Sequence, residues 1–139
     1  MAKTIELFIS ETKRQPWGWE TLIAHTPQYT GKVLLYRAGM AGGLQYHVEK
    51  DETFLLHEGQ GWIDYDGGDG KLTRRRMSAG ESYHVPPGAV HRFEAVTDCI
   101  VFEASTPHFE DRVRCEAVYG EPEVGGLPTT WPRSEGGTP

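Results

Sequence analysis

The sequence is poor in the features that mark most other protein classes. None of its 139 residues falls in a run approaching the roughly 18 apolar residues of a membrane-spanning helix. The opening MAKTIELFISETKRQP has no apolar core of a secretory signal, so the chain reads as cytoplasmic, with no membrane partner. Only two cysteines occur, Cys99 and Cys115, in separate segments and without C-x-x-C spacing. A structural zinc site on thiolates needs more, and in a reducing compartment these read as free thiols used as small apolar residues. Basic residues are outnumbered, 14 Lys and Arg against 20 Asp and Glu, for a net charge of −6. That balance speaks against nucleic acid as a partner. A sustained 3.6-residue apolar period is missing as well, which removes the crossover helices that a parallel α/β fold requires.

What the chain does have is punctuation. Turn signals recur at short intervals: PWG at 16–18, AGMAGG at 38–43, EGQG at 58–61, DGGDG at 66–70 and PPG at 86–88. Between them lie short runs rich in β-branched and aromatic residues, among them KVLLYR, TFLLHE, WIDY, SYHV and CIVFEA. Many short strands between Gly/Pro turns predict an all-β, antiparallel sandwich or barrel. The length argues for one domain, over residues 1–119, with residues 1–20 as a leading strand and loop. From 120 to 139 the composition turns Gly- and Pro-rich, which predicts a loosely held C-terminal tail.

Two stretches carry chemistry. In QYHVEKDE, residues 45–52, one histidine and three carboxylates crowd together. A strand period of two sends Gln45, His47 and Glu49 to one face and Tyr46 and Val48 to the other. Glu52 follows after Lys50 and Asp51, which read as the turn. The second stretch is GESYHVPPGAVHRF, residues 80–93, where proline fixes φ, glycine accepts positive φ, and the chain reverses to deliver His91.

These stretches resemble the two motifs of the cupin family. The second matches G-x5-P-x-G-x2-H at Gly80, Pro86, Gly88 and His91. The first is similar to the other motif through Gly42 or Gly43, His47, Glu52 and Gly59. The resemblance covers about residues 33–104 and implies a cupin double-stranded β-helix, a jelly-roll barrel. Three departures stand out: Val48-Glu49 follows His47 where most cupins read H-x-H, Ala95 stands where an asparagine is frequent, and the Glu49–Glu52 spacing is one residue short. The shorter spacing resembles the cupin domain of type II mannose-6-phosphate isomerases, whose L-Q-x-H-x-H-R-x-E is met by Leu44, Gln45, His47, Lys50 and Glu52. Pro16-Trp17-Gly18 looks like their upstream loop, and STPHFEDRVR at 105–114 resembles a segment of small stand-alone relatives. The resemblance further implies one divalent transition metal (Zn, Mn, Fe, Ni or Co) on His47, Glu52 and His91. Glu49 would be a fourth ligand or a free catalytic base, and Gln45 another candidate ligand. It also implies a homodimer joined through N-terminal strands, for which the apolar IELFI at 5–9 is the sign in the sequence.

Three functions follow as expectations, each with a small-molecule substrate or ligand. The first is a sugar or sugar-phosphate isomerase, with the metal stabilising an enediolate and Glu49 moving the proton. The second is an Fe or Mn dioxygenase or decarboxylase of a small organic acid. The third is a non-catalytic binding cupin. Arg74, Arg75 and Arg76 read as a solvated strand face, with Arg74 and Arg76 on the same side. His57 and His84 read as structural rather than proton shuttles, and Trp17, Trp19 and Trp62 as core or interface aromatics.

Overall fold

Turns cut the chain into short β segments, and in the computed structural model, which describes residues 2–123, eleven of them are strands. In chain order they are β1 (Glu11–Gln15), β2 (Gly18–His25), β3 (Thr30–Tyr36), β4 (Gln45–His47), β5 (Glu52–Glu58), β6 (Gln60–Asp66), β7 (Leu72–Ser78), β8 (Ser82–Val85), β9 (His91–Ala95), β10 (Cys99–Ser105) and β11 (Arg112–Arg114). A 3-10 turn, Glu116–Tyr119, follows. One sheet has the order β1-β2-β3-β10-β5-β8, the other β11-β4-β9-β6-β7, and all neighbours are antiparallel. The two face each other as a jelly roll, so the predicted all-β class holds. No helix among the described residues is long and apolar enough to cross a membrane.

Period-two alternation decides what lies between the sheets. On β3, Thr30, Lys32, Leu34 and Tyr36 are buried, and on β10, Cys99, Val101, Glu103 and Ser105. The interior is thereby divided along the strands. Trp17, Leu34, Tyr36, Leu56, Phe93 and Val101 form an apolar core, with Trp17 stacked on Tyr36 at 4.2 Å. Glu20, Lys32, Lys50, Glu52 and Glu103 are equally buried and ionisable. Interior charges persist only when paired, and here Lys32 meets Glu20 at 3.3 Å while Lys50 meets both Glu52 and Glu103.

The leading strand expected within residues 1–20 is β1, Glu11–Gln15. Residues 2–10 form no strand, and Ile5, Leu7 and Ile9 are more than four-fifths exposed because no strand pairs with them. The first strands are instead a tight β1–β2 hairpin turning at Pro16-Trp17, with Gln15 opposite Gly18. Glycine is required there: a Cβ at position 18 would lie 1.8 Å from the Leu35 carbonyl oxygen. At the other end, the body extends past residue 119, since Glu121 pairs with Arg92 at 2.8 Å and the Tyr119 hydroxyl donates to Asp66. Residues 124–139 of the expected tail lie outside the described residues.

Candidate metal centre

Each sheet contributes to the site. Strand β4 brings Gln45 and His47, β9 brings His91 beside Gln45, and the first residue of β5, Glu52, comes from the opposite sheet. The Pro86-Pro87-Gly88 turn locks the two motif halves together, because the Gly88 N–H donates to the His47 carbonyl at 2.7 Å. Gly88 has φ 85°, the left-handed conformation that glycine accepts at least cost. Three ligand atoms, one each from His47, Glu52 and His91, lie within 4.8 Å of one another, and all three residues are buried.

The rings' hydrogen bonds decide what these atoms offer. His47 Nδ1 lies 3.1 Å from Asp111 Oδ1, and His91 Nδ1 lies 3.0 Å from the Ala89 carbonyl oxygen. Carboxylates and carbonyls only accept, so each neutral ring carries its proton on Nδ1 and presents a lone pair at Nε2. Both Nε2 atoms sit 3.2 Å from Glu52 Oε2, which accepts no hydrogen bond. Three electron pairs thus converge on one buried point, an arrangement that a cation relieves. Two imidazoles and one carboxylate are the donor set of mononuclear transition-metal sites with open positions, so the residues fit a divalent ion.

Outer contacts fix this geometry. Burial alone would raise the Glu52 carboxyl, but the Lys50 ammonium, 3.1 Å from Oε1, opposes it and holds the group well below the carboxylate range. Burial would likewise lower the Lys50 ammonium, and Glu103 with Glu52 outweighs that and raises it. Glu103 in turn accepts from the Ser105 hydroxyl at 2.8 Å. Asp111 does more than orient His47: its Oδ2 also accepts the Glu49 and Lys50 backbone N–H groups at 2.6 and 2.8 Å. Burial raises its carboxyl, yet those two N–H donors and His47 leave it below its ordinary value.

The structure brings His47, Glu52 and His91 together and leaves Glu49 out. Strand β4 ends at His47, so alternation does not carry on to residue 49. The Glu49 side chain is 70% exposed and points toward His108, 3.8 Å from its Nε2. The inward-facing Glu49 expected from strand period is therefore corrected. Gln45 is buried, and its Oε1 has no hydrogen-bond partner, which leaves it available as an additional oxygen donor. Lys50, read as mere turn, is 2% exposed and ion-paired. Sequence reasoning also missed Asp111 and Glu103. The signal for Asp111 lay in STPHFEDRVR, whose resemblance to small relatives assigned it no role.

The remaining candidates stay outside the centre. His57 stacks on Phe102 at the surface, and His84 pairs with Asp51 at 2.6 Å. Arg74 and Arg76 flank the Trp62 ring, Arg74 being neutralised by Asp64 and Glu94. Trp17 belongs to the core.

A family model described as "Cupin domain" matches residues 32–103, 72 of the 139 positions. The chain belongs to the cupin family. No curated protein matches it. Among solved structures, this cupin superposes on the capsular polysaccharide assembling protein CapF from Staphylococcus aureus with a TM-score of 0.69 and 22% identity, covering 78% of this chain and 32% of that one. KdgF from Halomonas sp. gives 0.64 and 21%, over 73% of this chain and 91% of that one. Oxalate decarboxylase from Bacillus subtilis gives 0.62 and 13%, over 70% and 27%. The chain thus spans about a third of the length of CapF, and at these identities the likeness is one of fold.

Proposed function

We propose that this cupin is a metal-dependent enzyme acting on a small organic acid, with one divalent transition ion held by His47, Glu52 and His91. The observation that carries the reading is the convergence of two Nε2 lone pairs and one carboxylate oxygen on one buried point. Bound there, the ion would supply Lewis acidity toward the oxygens of a substrate and, as iron or manganese, open positions for dioxygen chemistry.

The chain's own groups prepare that chemistry. Asp111 and the Ala89 carbonyl keep both rings in the ligating tautomer, and Lys50 keeps Glu52 ionised and fixed. Tyr83, next to His91 in the wall of the adjoining cleft, has its hydroxyl raised well above the ordinary phenol value by burial. It therefore stays protonated and serves as a donor to a substrate oxygen. Aldose–ketose isomerisation, which resemblance to type II mannose-6-phosphate isomerases favours, needs a base beside the metal to move a proton between carbons. Glu49 stands on the surface, the Gln45 amide is no base, and His84, in the lining of the adjoining cleft, is tied to Asp51. Decarboxylation or oxygenation needs no such base.

The test loads the protein with Fe(II) or Mn(II) and offers a panel of α-hydroxy and α-keto acids. Oxygen uptake or carbon dioxide release is expected. Deuterium entering C2 of mannose 6-phosphate in heavy water, without either gas being exchanged, would transfer the assignment to the isomerase.

A further inference from the structure

A cleft of about 380 Å³ opens between β6–β7 of one sheet and β8 of the other and reaches His91. Its size falls in the range of small-molecule sites, roughly 300–1,000 Å³. The walls are apolar: Ile63, Met77, Val85 and Val90, joined by the rings of Tyr65 and Tyr83. Its charges tell against an anion. Arg75 is the only lysine or arginine among the described residues that line it, and its Nη2 donates to Glu81 Oε2 at 3.0 Å. Asp66 and Glu81 line the same cleft. The lining His84 is held by Asp51. Two carboxylates thus face the one arginine in the lining. A phosphate there would meet a negative field and a guanidinium already engaged.

We infer that the substrate is an unphosphorylated organic acid with a branched or aromatic body, its paired oxygens at the His91 end and its body along the Ile63–Met77–Tyr83 wall. This rests on the metal reading above. The metal end accepts one anionic head, because a divalent ion exceeds the single charge of Glu52. The rest of the cleft has apolar surface to cover and no free cation for a second anionic group. A phosphorylated sugar with its carbonyl and hydroxyl oxygens at the metal end would leave its phosphate in the cleft without a free cation, and sugars in general leave many hydroxyls without partners against such walls.

The test is calorimetric titration of one metal-loaded sample, its metal content measured first, with 2-hydroxyisocaproate, glycolate and 3-phosphoglycerate. Hydroxyisocaproate is expected to bind about ten-fold or more tighter than glycolate, from burial of its branched body. Phosphoglycerate is expected to bind no tighter than glycolate. Glu81→Gln keeps an acceptor for the Ser78 N–H and frees Arg75, so it should raise affinity for phosphoglycerate several-fold and for hydroxyisocaproate by much less. Phosphoglycerate binding tightest to the wild type, or equal affinity for all three acids, would overturn the inference while the metal reading stands. A sample that takes up no metal would overturn both.

Discussion

Replacing Asp111 with asparagine should impair metal binding more than replacing it with alanine, although asparagine is the closer match in shape. Asp111 accepts three hydrogen bonds, from His47 Nδ1 and from the backbone N–H groups of Glu49 and Lys50. Both backbone groups are donors, so the single oxygen of asparagine must turn toward them and its NH2 toward His47. A donor facing Nδ1 moves the ring proton to Nε2, where Glu52 Oε2 waits 3.2 Å away to accept it. The lone pair that would bind the ion is then consumed. Loss of an outer-shell partner typically costs 10–100-fold in metal affinity, or about 1.4–2.7 kcal/mol. Asp111→Asn should reach the upper part of that range. Asp111→Ala, which leaves the ring free to take either tautomer, should reach the lower. Competition against a chromophoric chelator gives the affinities, and ¹⁵N chemical shifts of the His47 ring in the metal-free protein report the tautomer directly. Wild-type affinity in Asp111→Asn, or an unchanged Nδ1–H tautomer, would refute the reasoning.

Three further outcomes follow from the same structure. Asp64 is buried and accepts from Arg74 at 2.7 Å and Arg92 at 3.0 Å; burial raises its carboxyl, but the two guanidiniums leave it below its ordinary value. A depressed folded pKa gives stability that is present above the unfolded pKa and lost as pH falls through the folded one. Asp64→Asn should therefore cost about 3 kcal/mol at pH 7, and the gap to wild type should begin to narrow only as pH falls below about 4, as read by thermal unfolding across that range. Gly18→Ala pushes a Cβ against the Leu35 carbonyl, so the β1–β2 hairpin must shift, at a cost of about 3 kcal/mol by denaturant titration. Glu49→Gln should change metal affinity less than about two-fold, since exposed groups contribute little to a buried site.

The parts of this fold legible in the sequence are those set by short-range rules. Turn residues and β-rich runs located β3, β5, β6, β8 and β10, and the turn chemistry of PPG delivered His91 to the place where His47 and Glu52 meet. Extrapolating the same rule failed at Glu49, because nothing local says that β4 stops after three residues. The apolar IELFI pairs with no described strand of its own chain, and the pairing that the cupin resemblance implies for it is with a second copy. Asp111 and Glu103 were out of reach for another reason. Asp111 acts on His47 from 64 positions away, and Glu103 on Lys50 from 53, so only the closed barrel shows the partnership. Lys50 resembled a turn residue because charge predicts exposure, and its burial depends on those distant carboxylates.

Metal stoichiometry tests the account at its centre. The protein is stripped with chelator, reconstituted separately with Fe(II), Mn(II), Ni(II), Co(II) and Zn(II), and analysed for bound metal beside His91→Ala. One equivalent per chain of at least one of these ions in the wild type, lost in His91→Ala whose fold is intact by circular dichroism, is the expected result. A wild type that takes up none of the five, or a His91→Ala variant that keeps the full equivalent, would contradict the assignment of His47, Glu52 and His91 as a metal centre.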